Sequence, residues 1–186
     1  MLVLPVSPKN IKLARQIIKK GGIIIYPTDT IYGLGADIFN QQAVKKIIDI
    51  KGRKKTNPIS VMISDFLQIK KIASVNARQA KIIKTLLPGP FTVILTKNKS
   101  ISDLLTAKRK TIGVRWPKLK ICQALAKNLP ITTTSANLSG QPNTLSVNKL
   151  NKIFKNKVDL MLVGGKMSGR ASTIIDLTVG PFKILR

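Results

Sequence analysis

The chain has 186 residues, 44% of them hydrophobic, which is enough to bury one sizeable core and too few to make two ordinary domains expected. Thirty-three Lys and Arg face seven acidic residues, for a net charge of +26, an excess that binds polyanions without any special motif or equally forms a solvated lysine surface. There is no His and no Glu, and Cys122 is the single cysteine, so a Ser-His-Asp triad, a His-containing zinc site, a disulfide framework and a CxxC site are all excluded.

The first element expected is a helix over 7–20, with Ser7 as N-cap, Pro8 at the first helical position, Ile11, Ala14, Ile17 and Ile18 at helical spacing, and Gly21-Gly22 as the stop. Ile23-Ile24-Ile25-Tyr26 is a β-branched run too short for a helix and fits a buried strand. The alternation continues with a helix over 41–50, a strand over 59–63, a helix over 77–87 and a strand over 91–96. Further strands are expected over 111–115, 131–134, 159–163, 172–177 and 182–185, with helices over 118–127 and 146–155. Cys122 falls on an apolar helical pattern and reads as a small core residue. Strands interleaved with helices predict an α/β domain on a twisted mixed sheet, as a single unit spanning 1–186. No run of about 18 apolar residues is long enough to span a bilayer, and 1–10 lacks the pattern of a signal peptide, so a soluble cytoplasmic protein is expected.

Three clusters carry the chemistry. Pro27-Thr28-Asp29-Thr30-Ile31-Tyr32-Gly33-Leu34-Gly35 follows a strand and concentrates hydroxyls, a carboxylate and two glycines; it is either a small-ligand loop or a turn followed by a glycine-bearing strand, and it is neither a P-loop nor GxGxxG. Lys51-Gly52-Arg53-Lys54-Lys55-Thr56-Asn57-Pro58 places four cations where a helix ends. They can cap the helix dipole, or they can clamp a triphosphate, with Arg supplying a two-donor fork and Lys a point charge. Thr132-Thr133-Thr134-Ser135-Ala136-Asn137-Leu138-Ser139-Gly140-Gln141-Pro142-Asn143 follows a strand, where ligand loops of α/β sheets gather, although Ser and Asn are also ordinary turn residues.

Taken in this order, and joined by Pro88-Gly89-Pro90-Phe91-Thr92, Thr111-Ile112-Gly113-Val114-Arg115 and Ser172-Thr173-Ile174-Ile175-Asp176, these segments resemble the YrdC/TsaC family of threonylcarbamoyl-AMP synthases from about Pro8 to Arg186. The resemblance implies a twisted sheet with a basic concave cavity, in which L-threonine, bicarbonate and ATP give threonylcarbamoyl-AMP and pyrophosphate for N6-threonylcarbamoyl modification of tRNA adenosine at position 37. It further implies threonine-binding roles for Thr30, Arg115, Thr133 and Ser172, and ATP-binding roles for Arg53, Asn57, Thr111, Ser135, Asn143 and Arg186. Lys51, Arg53, Ser135 and Asn137 would form a catalytic tetrad, and Mg²⁺ would arrive with ATP rather than on protein ligands. Expected partners beyond the substrates are tRNA or double-stranded RNA and the downstream transferase machinery. Two positions depart from the pattern: Met62 stands where some relatives carry His, and Trp116 where a smaller apolar residue is common.

Two other readings fit parts of the sequence. A non-catalytic RNA-binding module would use the charge, but 4% aromatic residues leave little for a base-stacking platform. A carbamoyl-AMP-forming relative, as in hydrogenase-maturation proteins, would use the same fold.

Overall fold

The computed structural model describes residues 1–52 and 56–185. Among them, a twisted mixed sheet runs in the order β1 (Leu2–Pro5), β9 (Leu160–Val163), β2 (Ile24–Tyr26), β3 (Gly33–Gly35), β8 (Ile131–Ser135), β4 (Ser60–Met62), β7 (Thr111–Arg115), β6 (Phe91–Lys97), β10 (Thr173–Asp176) and β11 (Lys183–Ile184), with β5 (Ala73–Ser74) added beside β6. Four pairs are parallel (β1 with β9, β9 with β2, β4 with β7, β6 with β10) and the others are antiparallel.

Helices cover the sheet on both faces, and the strand alternation shows why. Ile24 and Tyr26 of β2 and Leu160 and Leu162 of β9 pack with Ala14 and Ile18 of α1 (Pro8–Lys19) and with Cys122 and Leu125 of α6 (Lys120–Ala126). The intervening Ile25 and Met161 join the larger core on the other face, with Val44 and Ile47 of α2 (Gln41–Lys51), Ile69 of α3 (Phe66–Ile72), Ile83 of α4 (Ala77–Leu86), Leu105 of α5 (Asp103–Thr106) and Leu150 and Phe154 of α7 (Val147–Phe154). Each fully buried Ile or Leu contributes on the order of 1.5–3 kcal/mol. The isoleucine-rich strands therefore drive the fold.

Only part of the α1/α6 face is covered. From β8 toward β10 the same face is lined largely by small and polar side chains, Ser60 on β4, Thr111 and Gly113 on β7, Thr92 on β6 and Thr133 on β8, beside Ile94 and Ile174. Their strand neighbours Val61, Ile112, Val114, Val93 and Leu95 point the other way into the larger core. The period of two thus puts an apolar floor under a polar concavity.

The expected elements are found with ends shifted by one or two residues. Ser7 caps α1 by accepting from the Asn10 amide at 3.2 Å, as its position before Pro8 predicts. Strands β1 and β5 and helices α3 and α5 were not expected from the sequence, and β3 only as one of two readings of its segment. All five are seven residues or shorter, and four of them show little periodicity. The fifth, β3, has glycine at two of its three positions, where intrinsic strand preference is weak. Those glycines are dictated by packing: a Cβ on Gly35 would lie 2.8 Å from Cε1 of Tyr26, and one on Gly33 3.1 Å from Cζ of the same ring. The glycine-bearing strand is therefore the seat of the buried Tyr26 ring.

Candidate functional site

A cavity of about 320 Å³ occupies the uncovered part of the sheet, within the size range of small-ligand sites. Strand register brings its lining together. Gly33 faces Ser135, Ser60 faces Thr133, Arg115 faces Thr92, and Ile174 lies beside Thr92 on the far side. Segments more than a hundred residues apart in sequence thus form one row across the sheet.

Arg115 is the most constrained side chain of this row. It is a permanent cation, 6% exposed, at the end of β7. Its Nη2 donates to Thr30 Oγ1 at 2.6 Å and forms an ion pair with Asp29. Thr30 is positioned in turn by Thr28, whose hydroxyl takes the Thr30 and Ile31 amides and donates to the Ile31 carbonyl. The Arg115 Nε is buried with no hydrogen-bond partner among the described residues. A buried guanidinium N–H without an acceptor is costly, and an anionic ligand relieves that cost. Around it, Thr133 is 9% and Ser172 6% exposed, and Ser172 Oγ shares a 2.8 Å hydrogen bond with Thr92 Oγ1. The four threonine-binding residues expected from the sequence, Thr30, Arg115, Thr133 and Ser172, therefore belong to one neighbourhood, with Thr30 reaching it through Arg115.

The second group lies where α2 meets the loop after β8. Lys51 is 2% exposed, and its ammonium donates to the carbonyls of Ser135 and Asn137 and to Asn137 Oδ1, the last two at 2.8 and 3.0 Å. Asn137 Oδ1 also accepts from Ser135 Oγ at 2.6 Å, and the Lys51 carbonyl accepts the Ser139 amide at 2.8 Å. Lys51 thus ends α2 with its ammonium turned onto the loop after β8. It is a buried cation that fixes the loop presenting Ser135 to the cavity.

Of the remaining expected residues, Thr111 and Asn143 line the cavity, and Asn57 is exposed immediately before the lining residue Pro58. Arg53 and Arg186, expected at ATP, lie outside the described residues. Sequence reasoning assigned no role to Asp29, Thr28, Thr92, Ser60 or Arg109, although all but Asp29 line the cavity and Asp29 holds Arg115. The signal for Asp29 was its rarity: one of seven carboxylates, set among hydroxyls. Met62 and Trp116, the two departures, are not among the residues lining the cavity: Met62 is buried in the α1/α6 core and Trp116 packs against the larger one.

The site offers little acid–base chemistry of its own. Burial, then the nearby Cys122, pushes the Tyr26 phenol well above its ordinary value, and burial, then Asp29, does the same to the Cys122 thiol. Both stay neutral near pH 7. Among the described residues no group of three or more Asp, Glu, His or Cys side chains could hold a metal ion, and no helix is long and apolar enough to cross a membrane.

The profile of the Sua5/YciO/YrdC family, described as telomere recombination, matches residues 16–186, and the chain belongs to this family. It is 35% identical over 181 residues to the threonylcarbamoyl-AMP synthase of Pyrococcus abyssi, covering 95% of this chain but only 53% of that protein, so it spans about half the length of this relative. A putative threonylcarbamoyl-AMP synthase of Methanocaldococcus jannaschii is 38% identical over 170 residues, covering 91% of this chain and 81% of the relative. Among solved structures, P. abyssi Sua5 complexed with L-threonine superposes with a TM-score of 0.91 at 33% identity, covering all of this chain and 56% of that one. Escherichia coli YciO gives 0.89 at 31% identity, covering all of this chain and 93% of that one.

The placement of Lys51 has a direct consequence for stability. Lys51→Met removes the donor from three oxygens around Ser135 and Asn137, and should cost about 2–4 kcal/mol. Lys152→Met, on an exposed position of α7, should stay within about 0.5 kcal/mol. Urea unfolding of both variants measures the difference, and equal midpoints would refute the role given to Lys51.

Proposed function

We propose that the chain is a threonylcarbamoyl-AMP synthase that supplies the activated intermediate for N6-threonylcarbamoyl modification of tRNA adenosine at position 37. The observation that carries this reading is Arg115, held by Asp29 and Thr30 with its Nε unpartnered, in a cavity ringed by hydroxyls. That is a site for a small molecule with a carboxylate and hydrogen-bonding groups. The names of the P. abyssi and M. jannaschii relatives, and the L-threonine complex of P. abyssi Sua5, favour threonine as that molecule.

The threonine carboxylate binds Arg115, and its amine condenses with bicarbonate, losing water, to give a carbamate. A carbamate oxygen attacks the α-phosphorus of ATP, the bond from that phosphorus to the bridging oxygen breaks, and pyrophosphate leaves with the electron pair. Such a displacement needs in-line positioning and charge neutralisation more than a protein base. It suits a chain with no His whose Tyr26 and Cys122 are held neutral. Thr111, Ser135, Asn143 and Asn57 are assigned to the nucleotide, Lys51 and Asn137 to shaping the Ser135 loop, and Arg53 and Arg186 to the phosphates. Mg²⁺ fits this donor set only as a companion of ATP, held by phosphate oxygens and water, since carboxylates are scarce.

Pyrophosphate release measured with threonine, bicarbonate and ATP each omitted in turn tests the reaction. Release should need all three, and undiminished release without threonine would refute the reading. The +26 charge further supports binding of tRNA or double-stranded RNA through phosphates. Affinity for tRNA should then fall at least tenfold between 50 and 200 mM salt, by about the counterion-release slope. A salt-insensitive affinity would exclude the charge as its origin.

A further inference from the structure

We propose that Arg109 is the contact for the departing pyrophosphate, that is, for the β- and γ-phosphates of bound ATP. The inference rests on the synthase reading and adds to it a residue that neither the motifs nor the resemblance picked out.

Arg109 sits in the turn between α5 and β7, flanked by Lys108 and Lys110, and the three look like one more stretch of surface charge. The backbone separates them. Ala107 and Lys108 both take left-handed conformations, at φ 52° and 63°, which non-glycine residues seldom adopt. The double turn is closed by the Lys108 amide on the Asp103 carbonyl at 2.9 Å and the Arg109 amide on the Thr106 carbonyl at 3.0 Å. It delivers the chain into β7 so that Arg109, Thr111, Gly113 and Arg115 all line the cavity, whereas Lys108 and Lys110 do not. Arg109 therefore continues the inward-facing row of β7 by one further step of two residues.

The row has a cation at each end, and the two differ. Arg115 is buried and paired with Asp29. Arg109 is exposed, and among the described residues its guanidinium has no hydrogen-bond or ion-pair partner. Thr111 and Arg115 alone are ~13 Å apart at about 3.3 Å per residue, so the two guanidinium groups address opposite ends of an extended ligand. With the amino-acid carboxylate on Arg115 and the carbamate directed at the α-phosphorus, most of the remaining negative charge of the reacting pair lies on the phosphate chain. Its terminal part has to leave, which requires the solvent-facing end, and that is where Arg109 lies. A guanidinium also matches two phosphate oxygens at once.

Titration calorimetry with four probes tests the assignment: ATP, inorganic pyrophosphate, AMP and L-threonine, on wild type, Arg109→Ala and Arg109→Lys. Arg109→Ala should weaken ATP and pyrophosphate at least tenfold while leaving AMP and threonine within about twofold, and Arg109→Lys should fall between. If Arg109→Ala weakens AMP as much as ATP, the side chain serves the nucleoside or α-phosphate and the proposal is overturned. Unchanged ATP and pyrophosphate binding by Arg109→Ala overturns it equally. Wild-type protein that binds threonine but neither ATP nor pyrophosphate would instead overturn the synthase reading, and this inference with it.

Discussion

A guanidinium cannot shed its charge, so placing Arg115 on an inner strand of a largely buried sheet obliges the surrounding chain to supply oxygen atoms. Asp29 and Thr30 do so from a loop 85 residues earlier in the sequence, and Thr28 holds that loop by its own hydroxyl. The strap after β9 is fixed to the same loop, through the Ser168 amide on the Asp29 carbonyl and the Gly169 amide on the Thr30 carbonyl. It leads directly into Ala171 and Ser172 on the cavity wall. One ion pair thus organises three separate segments around a single unpartnered Nε.

The cavity itself follows from incomplete coverage of the sheet. Helices α1 and α6 seal the β2 and β9 end of one face, and toward β10 that face carries Ser60, Thr111, Gly113 and Thr92 beside Ile94 and Ile174. The opposite face stays continuously apolar, so the polar concavity rests on a rigid core. Side chains on such strands are held more closely than side chains on loops, which suits a reaction governed by alignment. The loop that follows Ser135 is held by the buried Lys51.

Much of this was legible in the sequence where local physics decides. Ser7-Pro8 announces α1, and the alternation Thr111-Ile112-Gly113-Val114-Arg115 already separates a polar face from an apolar one. What was not legible depended on distant partners. Nothing near Lys51 shows that its ammonium turns away from solvent to meet residues 84 and 86 positions later, since it sits in a run of cations whose other members look the same. Arg109 was hidden in the same way, because only the left-handed pair Ala107-Lys108 distinguishes it from its neighbours, and neither Ala nor Lys signals that conformation. In a chain this rich in lysine and arginine, geometry rather than composition tells a functional cation from a solvated one. Gly33 and Gly35 taught the converse: glycines beside a ligand loop can exist to seat a tyrosine ring.

The claim that the deep end of the cavity is a carboxylate site on Arg115 is tested most directly by comparing L-threonine with L-threoninamide in equilibrium binding to the unmodified protein. The two differ in the group that would meet Arg115 Nε, and a charge-assisted hydrogen bond of about 1.5–3 kcal/mol corresponds to roughly 10- to 100-fold. L-threonine should bind and L-threoninamide should bind at least tenfold more weakly; equal binding of the two would contradict the assignment.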